Sequence, residues 1–106
     1  MNVWNGIGNI TKDPEVRYST GENRTAVLRM NVAINEGYGE NQKTHFIPVV
    51  AFGRLAENCE KYLAKGSKIA VTGKIATSVY EKNNVSYHNT EVIASNIEFI
   101  GGRNER

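Results

Sequence analysis

Hydrophobic and polar side chains alternate along most of the chain, which is the pattern of β-strands that bury one face. Between Ala26 and Asn35 every even position is apolar, and the odd positions are largely polar. Between Thr44 and Phe52 the odd positions carry the predicted core residues, so Phe46 and Phe52 should point outward. The pattern therefore predicts two half-buried strands, joined by the polar loop 36–43.

One strand precedes these two and two more follow them. Asn2–Thr11 is strand-like, and Asp13-Pro14 marks a turn after it. Ser67–Glu81 alternates again, and after the tight turn Asn83-Asn84 the segment Val85–Ile100 is predicted as one broken strand. The predicted core face of the fourth strand consists of Ile69, Val71, Ile75 and Val79.

The segment Arg54–Lys65 changes its period and predicts one helix. Its apolar residues recur at helical spacing, and Gly66 stands where such a helix should stop. Cys59 is interpreted as a small core residue, and Tyr62 as a ring packed between the helix and the sheet. The apolar stripe consists of Leu55, Cys59, Tyr62 and Leu63.

The order of these elements predicts an all-β fold with one helix. A helix between strands 3 and 4 of five antiparallel strands is typical of the OB-fold, a Greek-key barrel that binds oligonucleotides or oligosaccharides. Gly6, Gly8 and Gly73 suit the sharp bends that close a small barrel. We expect residues 1–100 to form this single domain and residues 101–106 to be a disordered polar C-terminus.

Composition limits the class of protein further. The chain has 106 residues and a mass of 11.8 kDa, enough for one domain. We expect no membrane association and no secretion signal, because long apolar runs and a basic N-terminal region are missing. The single cysteine favours a reducing cytoplasm. The formal charge of +2 is too small to indicate nucleic-acid binding by itself. Such binding has to be inferred from where the charged residues lie.

Sequence signatures of enzymes are missing. Gly6-Ile7-Gly8 has no third glycine at the spacing that a dinucleotide cradle needs. His45 and His88 have no cysteine pair or carboxylate at metal-ligand spacing, so both are interpreted as ordinary surface residues. We therefore expect no catalysis, no metal and no other cofactor.

Aromatic and basic side chains share the predicted outward faces of strands 2 to 4. Exposed rings leave apolar area uncovered unless a ligand or partner covers them. Bases of unpaired nucleic acid stack on such rings, and lysine and arginine neutralise phosphates. The residues are Arg29, Phe46, Phe52, Lys68, Lys74 and Tyr80, with Tyr38 in the adjacent loop.

These outward residues leave three interpretations open. They form a nucleic-acid interface, a self-association face, in which aromatic residues are also enriched, or a site for a carbohydrate or another ligand. The basic residues alone could serve solubility or edge protection. Trp4 is interpreted as a core or interface residue rather than as a base-stacking platform.

Four spaced motifs connect the sequence to a known family. They are Lys12-Asp13-Pro14-Glu15-Val16-Arg17-Tyr18, Phe52-Gly53-Arg54-Leu55-Ala56-Glu57, Tyr62-Leu63-Ala64-Lys65-Gly66-Ser67 and Thr90-Glu91-Val92. Together they resemble the bacterial and phage single-stranded DNA-binding proteins (SSB), over essentially the whole chain. The resemblance implies an OB-fold that binds single-stranded DNA without sequence preference and without catalysis, in replication, recombination and repair.

The resemblance also implies roles for individual residues. Family positions whose aromatic residues stack on bases are occupied by Tyr38, Phe46, Phe52 and Tyr80. Family positions that contact the DNA backbone are occupied by Asn9, Arg17, Arg54 and Lys65. Basic residues near this surface, where relatives are often not basic, are Arg29, Lys68 and Lys74.

Partners follow from the same resemblance. We expect single-stranded DNA and a homo-oligomer, a tetramer as in the family or else a dimer, in a nucleoid-associated or phage-infected cytoplasm. Relatives end in an acidic tip, whereas this sequence ends at Arg106 without one, so we do not expect tail-mediated recruitment of replication enzymes. The sequence is then either truncated or a short variant of the kind found on phages and mobile elements. Two alternatives are a primosomal-type accessory replication protein and a protein–protein assembly module.

Overall fold

The computed structural model describes residues 1–19, 24–37 and 39–101. The strands are β1 (Trp4–Ile10), β2 (Glu15–Tyr18), β3 (Ala26–Glu36), β4 (Lys43–Phe52), β5 (Lys68–Lys82) and β6 (Val85–Gly101). The helix α1 (Gly53–Tyr62) lies between β4 and β5, and a 3-10 turn, Gly39–Asn41, precedes β4.

The strands form one sheet in the order β1-β5-β6-β4-β3-β2, and the sheet closes into a barrel where β1 also pairs with β3. This seam is short: Asn9 lies opposite Ala33, and Ile10 lies opposite Val32. The pair β4–β6 is parallel, and the other pairs are antiparallel. With α1 after the third long strand, this architecture confirms the predicted OB-fold.

The structure adds β2 to the five predicted strands. β2 pairs with β3 from Glu15 opposite Arg29 to Tyr18 opposite Ala26. Of its residues only Val16 is partly buried. A strand this short and this exposed has no hydrophobic alternation that the sequence could reveal.

The core lies on the side of the sheet that the alternation predicts for β3 and for the first half of β5. The largest fully buried side chains are Ile10, Leu28, Val32, Val49, Val50, Ile69 and Val71. Trp4 packs against this core from its edge. Cys59 is buried on α1, as predicted, and desolvation raises the pKa of its thiol.

The predicted helix boundary at Lys65 is wrong. α1 ends at Tyr62, because Leu63 is already extended, with φ −108° and ψ 144°. Gly66 does adopt a left-handed conformation, with φ 93°, but in the turn that follows the helix. This turn lies against β1, since the Gly66 amide donates a hydrogen bond to the Ile10 carbonyl at 2.8 Å.

The predicted packing of Tyr62 between the helix and the sheet is also wrong, because its side chain is 72 % exposed. The buried contact of this region is made by Ala56 and Cys59 on α1 and by Leu63 after it. Tyr62 lies at the solvent edge of that contact, along a groove that Phe99 also lines.

β5 and β6 continue as a two-stranded arm, residues 76–90, beyond their pairing with β1 and β4. The turn residues Asn83 and Asn84 have φ values of 55° and 65°, which confirms the predicted tight turn. Ile75 and Val79 are exposed, so their assignment to the core is wrong. Alternation identifies their face of the strand correctly, but Val79 lies on the arm, and Ile75 lies at its base, just beyond the last pair of β5 with β1.

Two of the strand glycines lie where backbones approach closely. A Cβ atom on Gly8 would lie 2.3 Å from the Ala33 carbonyl oxygen, at the seam between β1 and β3. A Cβ atom on Gly73 would lie 2.2 Å from the Ile93 carbonyl oxygen, beside an irregularity in the β5–β6 register. Both positions fit the predicted role of glycine in closing the barrel.

No helix among the described residues is long and apolar enough to cross a membrane. Gly101, the first residue of the predicted polar terminus, is the last residue of β6. Residues 102–106 and Tyr38 lie outside the described residues, so the predictions made for them stay predictions.

Candidate nucleic-acid interface

Phe46 and Phe52 lie on the outward face of β4, and their predicted orientation is confirmed. They are 64 % and 46 % exposed, whereas Val49 and Ala51 on the opposite face are fully buried. The two rings are six residues apart on one strand, which corresponds to about 20 Å. They therefore mark the two ends of one outward surface.

A row of paired residues leads from Phe52 across β3 to β2. Val27 lies opposite Phe52, and Arg17 lies opposite Val27. Directly opposed residues point to the same side of a sheet, so Arg17 is on the face of Phe52, about 10 Å away across two strand spacings. Arg54 is exposed in the first turn of α1, two residues after this ring.

A second row leads from Phe46 across the barrel seam. Ala33 lies opposite Phe46 in β4 and opposite Asn9 in β1, and Asn9 in turn lies opposite Lys68 in β5. Asn9 and Lys68 are both exposed. Closure of the barrel therefore brings Lys68 onto the same outward surface as Phe46.

The turn after α1 contacts this seam and adds one predicted residue, Lys65. The Asn9 side-chain amide donates a hydrogen bond to the Gly66 carbonyl at 3.1 Å, so Asn9 also anchors the turn. The Lys65 backbone amide donates to Asp13 Oδ1 at 2.8 Å, while the Lys65 side chain is exposed. The hydrogen bond fixes the Lys65 backbone to the segment that follows β1, and the side chain extends into solvent from there.

The middle row contains Arg29, Val50, Ile93 and Lys74, on β3, β4, β6 and β5 in that order. Arg29 Nη1 forms a salt bridge with Glu91 Oε2 at 3.3 Å. This bridge spans β4 beside Val50, which explains why Val50 is only 2 % exposed although its position in the alternation predicts an outward side chain. Lys74 is exposed at the other end of the row.

Tyr80 lies on the arm, on the same face of β5 as Lys74. It pairs with Tyr87 of β6, and the two rings stack with centroids 5.2 Å apart and an interplanar angle of 19°. Both side chains keep close to half of their surface exposed. The predicted outward orientation of Tyr80 is confirmed, and the arm presents a double aromatic surface.

Two residues of this face were outside the sequence prediction. The sequence marks Glu91 only as part of a family motif, and Tyr87 is not among the predicted site residues. Period-two alternation places Tyr87 opposite Tyr80 once the turn Asn83-Asn84 fixes the register, so this signal was available. The pairing of Glu91 with Arg29 spans 62 residues of sequence and becomes visible only in the folded barrel.

The histidines have the surface positions that the sequence predicts. His45 contacts Glu36 through Nε2 and Oε1 at 2.9 Å across the β3–β4 hairpin, and His88 is exposed on the arm. Within the described residues, no group of three or more His, Cys, Asp or Glu side chains is arranged to hold a metal ion.

Fold and surface together define an OB-fold protein with three rows of outward aromatic and cationic side chains. The sequence model of the Single-strand binding protein family matches residues 1–100. The chain belongs to this family.

Curated relatives agree with this assignment. The chain is 36 % identical over 99 residues to a protein of Clostridium perfringens named "Single-stranded DNA-binding protein", covering 92 % of this chain and 65 % of the relative. It is 36 % identical over 103 residues to a protein of the same name from Clostridium tetani, covering 94 % and 70 %. The chain thus spans about two thirds of the length of these relatives.

A solved structure shows the same fold. A chain from the structure described as "Plasmodium falciparum SSB complex with ssDNA" superposes with a TM-score of 0.86 at 24 % identity. The similarity covers 94 % of this chain and 95 % of that chain, so the barrel, the helix and the arm are all included.

Proposed function

We propose that this protein binds single-stranded DNA without sequence preference and without transforming it, in replication, recombination and repair. The observation that carries the proposal is the set of outward rings, Phe46, Phe52 and Tyr80, with cations in the rows of the two phenylalanines and on the strand of the tyrosine. The family membership and the names of the relatives support it.

Base stacking supplies the sequence tolerance of this mechanism. Every base has a π-face, so a ring such as Phe46 accepts any base that is free of a partner. Such stacking contributes about 1–3 kcal/mol per base, a magnitude taken from single-strand binding proteins themselves. In a duplex the bases are already stacked and paired, so these rings have no access to them.

Phosphate neutralisation supplies the second contribution. Arg17 and Lys68 lie in the rows of the two phenylalanines, and Lys74 lies in the middle row. Arg54 and Lys65 extend the surface at its two ends. Each phosphate contact releases counterions from the strand, which makes the affinity salt-dependent. With a net charge of only +2, the effect depends on placement of the cations and not on their number.

We further propose that four chains assemble in the cytoplasm, so that one strand contacts several faces. Val79 on the arm and Ile75 at its base are exposed, and such apolar area favours contact with another subunit. When a strand is bound to one subunit, the outward faces of the other subunits are held close to it. Their effective concentration for that strand is therefore high. The mass in solution should be about four times the 11.8 kDa of one chain, and a strictly monomeric protein would contradict this assembly.

A titration with fluorescein-labelled oligo(dT) tests the proposed function. Anisotropy is measured at two salt concentrations, with a duplex of the same length as the matched ligand. We expect tight binding to the single strand, weaker binding at the higher salt concentration, and much weaker binding to the duplex. Equal affinity for both forms would exclude base stacking, and no binding to oligo(dT) would favour a pure assembly module whose rings are covered by other subunits.

A further inference from the structure

Arg29, the basic residue at the centre of the outward face, already has an anionic partner. Its Nη1 atom lies 3.3 Å from Glu91 Oε2, and the two side chains come from β3 and β6, on either side of β4. The Arg29 side chain is 65 % exposed and that of Glu91 is 32 % exposed. A phosphate can therefore reach the guanidinium group, but it meets the carboxylate there.

The pair lies between the two phenylalanine platforms. Along β4, Val50 is two residues from Phe52 and four from Phe46. The Arg29–Glu91 bridge crosses β4 diagonally, from Arg29 opposite Val50 to Glu91, which lies two residues before Ile93 on β6. A strand whose bases stack on both rings has to pass over this bridge. Glu91 is thus a negative charge on the shortest path of the phosphates.

More carboxylates lie nearby. The bridge borders a cleft of about 260 Å³ whose walls include Lys12, Asp13 and Glu15 as well as Arg29 and Glu91. With three carboxylates and two cations, this cleft does not attract phosphate in the way that a purely basic surface does. The centre of the face is therefore electrostatically different from its ends.

We propose that Glu91 competes with a DNA phosphate for Arg29 and thereby lowers the affinity and the salt dependence of the whole face. The inference rests on the proposed function and adds to it a residue that restrains binding. A phosphate that takes Arg29 releases the Glu91 carboxylate, which then binds a cation from solution. This uptake offsets the counterion that the phosphate releases.

Lys74 provides the comparison within the same row. It lies opposite Ile93, on the far side of β6 from Val50, and neither of the ion pairs formed by the described residues involves it. A phosphate that contacts Lys74 therefore has no carboxylate to displace. A phosphate that binds Lys74 should therefore add the release of one full counterion to the salt dependence. A phosphate that binds Arg29 should add only a fraction of this.

The bridge also shields Val50, and the choice of substitution separates this role from competition. Glu91→Gln keeps the size of the side chain and an oxygen that accepts a hydrogen bond from Arg29, so Val50 stays covered. It removes only the negative charge. A change in DNA binding without a change in thermal stability would then be electrostatic in origin.

The experiment measures oligo(dT) affinity over a salt series for wild type, Glu91→Gln, Arg29→Gln and the double variant. We expect Glu91→Gln to bind about two- to fivefold more tightly, the free energy of an exposed ion pair expressed as an affinity ratio. Its slope of log affinity against log salt should be steeper by up to about 0.7, the value for one phosphate contact on a single strand. In the Glu91→Gln background, Arg29→Gln should make this slope shallower by about the same amount. In the wild-type background, Arg29→Gln should change the slope clearly less.

Lys74→Gln is the matched control. It should reduce the slope of log affinity against log salt by the same amount in the wild-type and the Glu91→Gln backgrounds. Unchanged or weaker binding by Glu91→Gln, or an Arg29→Gln effect that is equal in both backgrounds, would overturn the inference alone. A wild-type protein that does not bind oligo(dT) at all would overturn the proposed function and the inference with it.

Discussion

Among the described residues of the outward face, Phe46 has the most exposed aromatic ring, and nothing in the fold requires a phenylalanine there. Its neighbour across the sheet is Ala33, and the core lies on the other side of β4. A ring that is 64 % exposed adds little to stability, because most of its apolar area stays in water. Its expected contribution is to binding.

Replacing Phe46 or Tyr80 by alanine should therefore weaken oligo(dT) binding and leave folding intact. We expect a loss of about 1–3 kcal/mol per ring, the range measured for base stacking on single-strand binders. Tyr80→Ala should fall at the lower end, since Tyr87 stays in place as a second ring of the stacked pair. Fluorescence anisotropy gives the affinity, and circular dichroism melting gives the stability.

Tyr62→Ala is the control for these substitutions. Tyr62 is 72 % exposed, comparable to Phe46, but it lies on α1 and outside the three rows. Its removal should leave the affinity unchanged. If Tyr62→Ala weakened binding as much as Phe46→Ala, exposed rings in general, and not this face, would be responsible.

At the scale of the elements, the seam between β1 and β3 decides whether the sheet is an open surface or a barrel. Only Asn9–Ala33 and Ile10–Val32 pair across it, and Gly8 lets the two backbones approach. The same seam joins Lys68 and Asn9 to the row of Phe46. Fold closure and the binding surface thus depend on one short contact.

Gly8→Ala should disturb this contact. The new Cβ would lie 2.3 Å from the Ala33 carbonyl oxygen, so the strands must separate. We expect a loss of roughly 1–3 kcal/mol in the free energy of unfolding, typical of overpacking. Chemical denaturation measures it.

Gly101→Ala is the matched control, because a Cβ at that position meets no atom within 4 Å. It should change the stability by less than about 0.5 kcal/mol. Equal stability of the Gly8→Ala variant and wild type would show that the seam is looser than the structure indicates.

Much of the architecture could be predicted because alternation reports burial wherever a strand belongs to the barrel. The same rule fails where an element leaves the barrel: Ile75 and Val79 alternate correctly, but they lie at the base of the arm and on it. It also fails for β2, whose four residues are too few to show a period. In each case the missing information is what packs on the strand, and this depends on distant parts of the chain.

The outward site, like the fold, is only partly predictable from the sequence. The orientation of Phe46 and Phe52 could be predicted from one strand, because their parity is opposite to that of the buried residues. The burial of Val50 could not, since the Arg29–Glu91 bridge that covers it joins two strands on either side of β4. Sequence patterns identify faces, whereas pairs across strands require the sheet order.

At the scale of the whole molecule, the net charge is small, and exposed aromatic rings lie on the outward face. Among the described residues the only carboxylate paired to a cation of the three rows is Glu91, and it restrains the centre of the face. Most of the affinity should then come from bases rather than from phosphates. The proposed assembly into several subunits would multiply such contacts along one strand.

The most direct test of this account compares oligo(dT) with an abasic strand of the same length and the same number of phosphates. The two ligands differ only in the bases, so the comparison isolates stacking from charge. We predict that the abasic strand binds at least tenfold more weakly than oligo(dT), roughly the loss of one or more stacked bases, with nearly the same salt slope. Equal affinities for both strands would contradict the account, because the outward rings would then contribute nothing to binding.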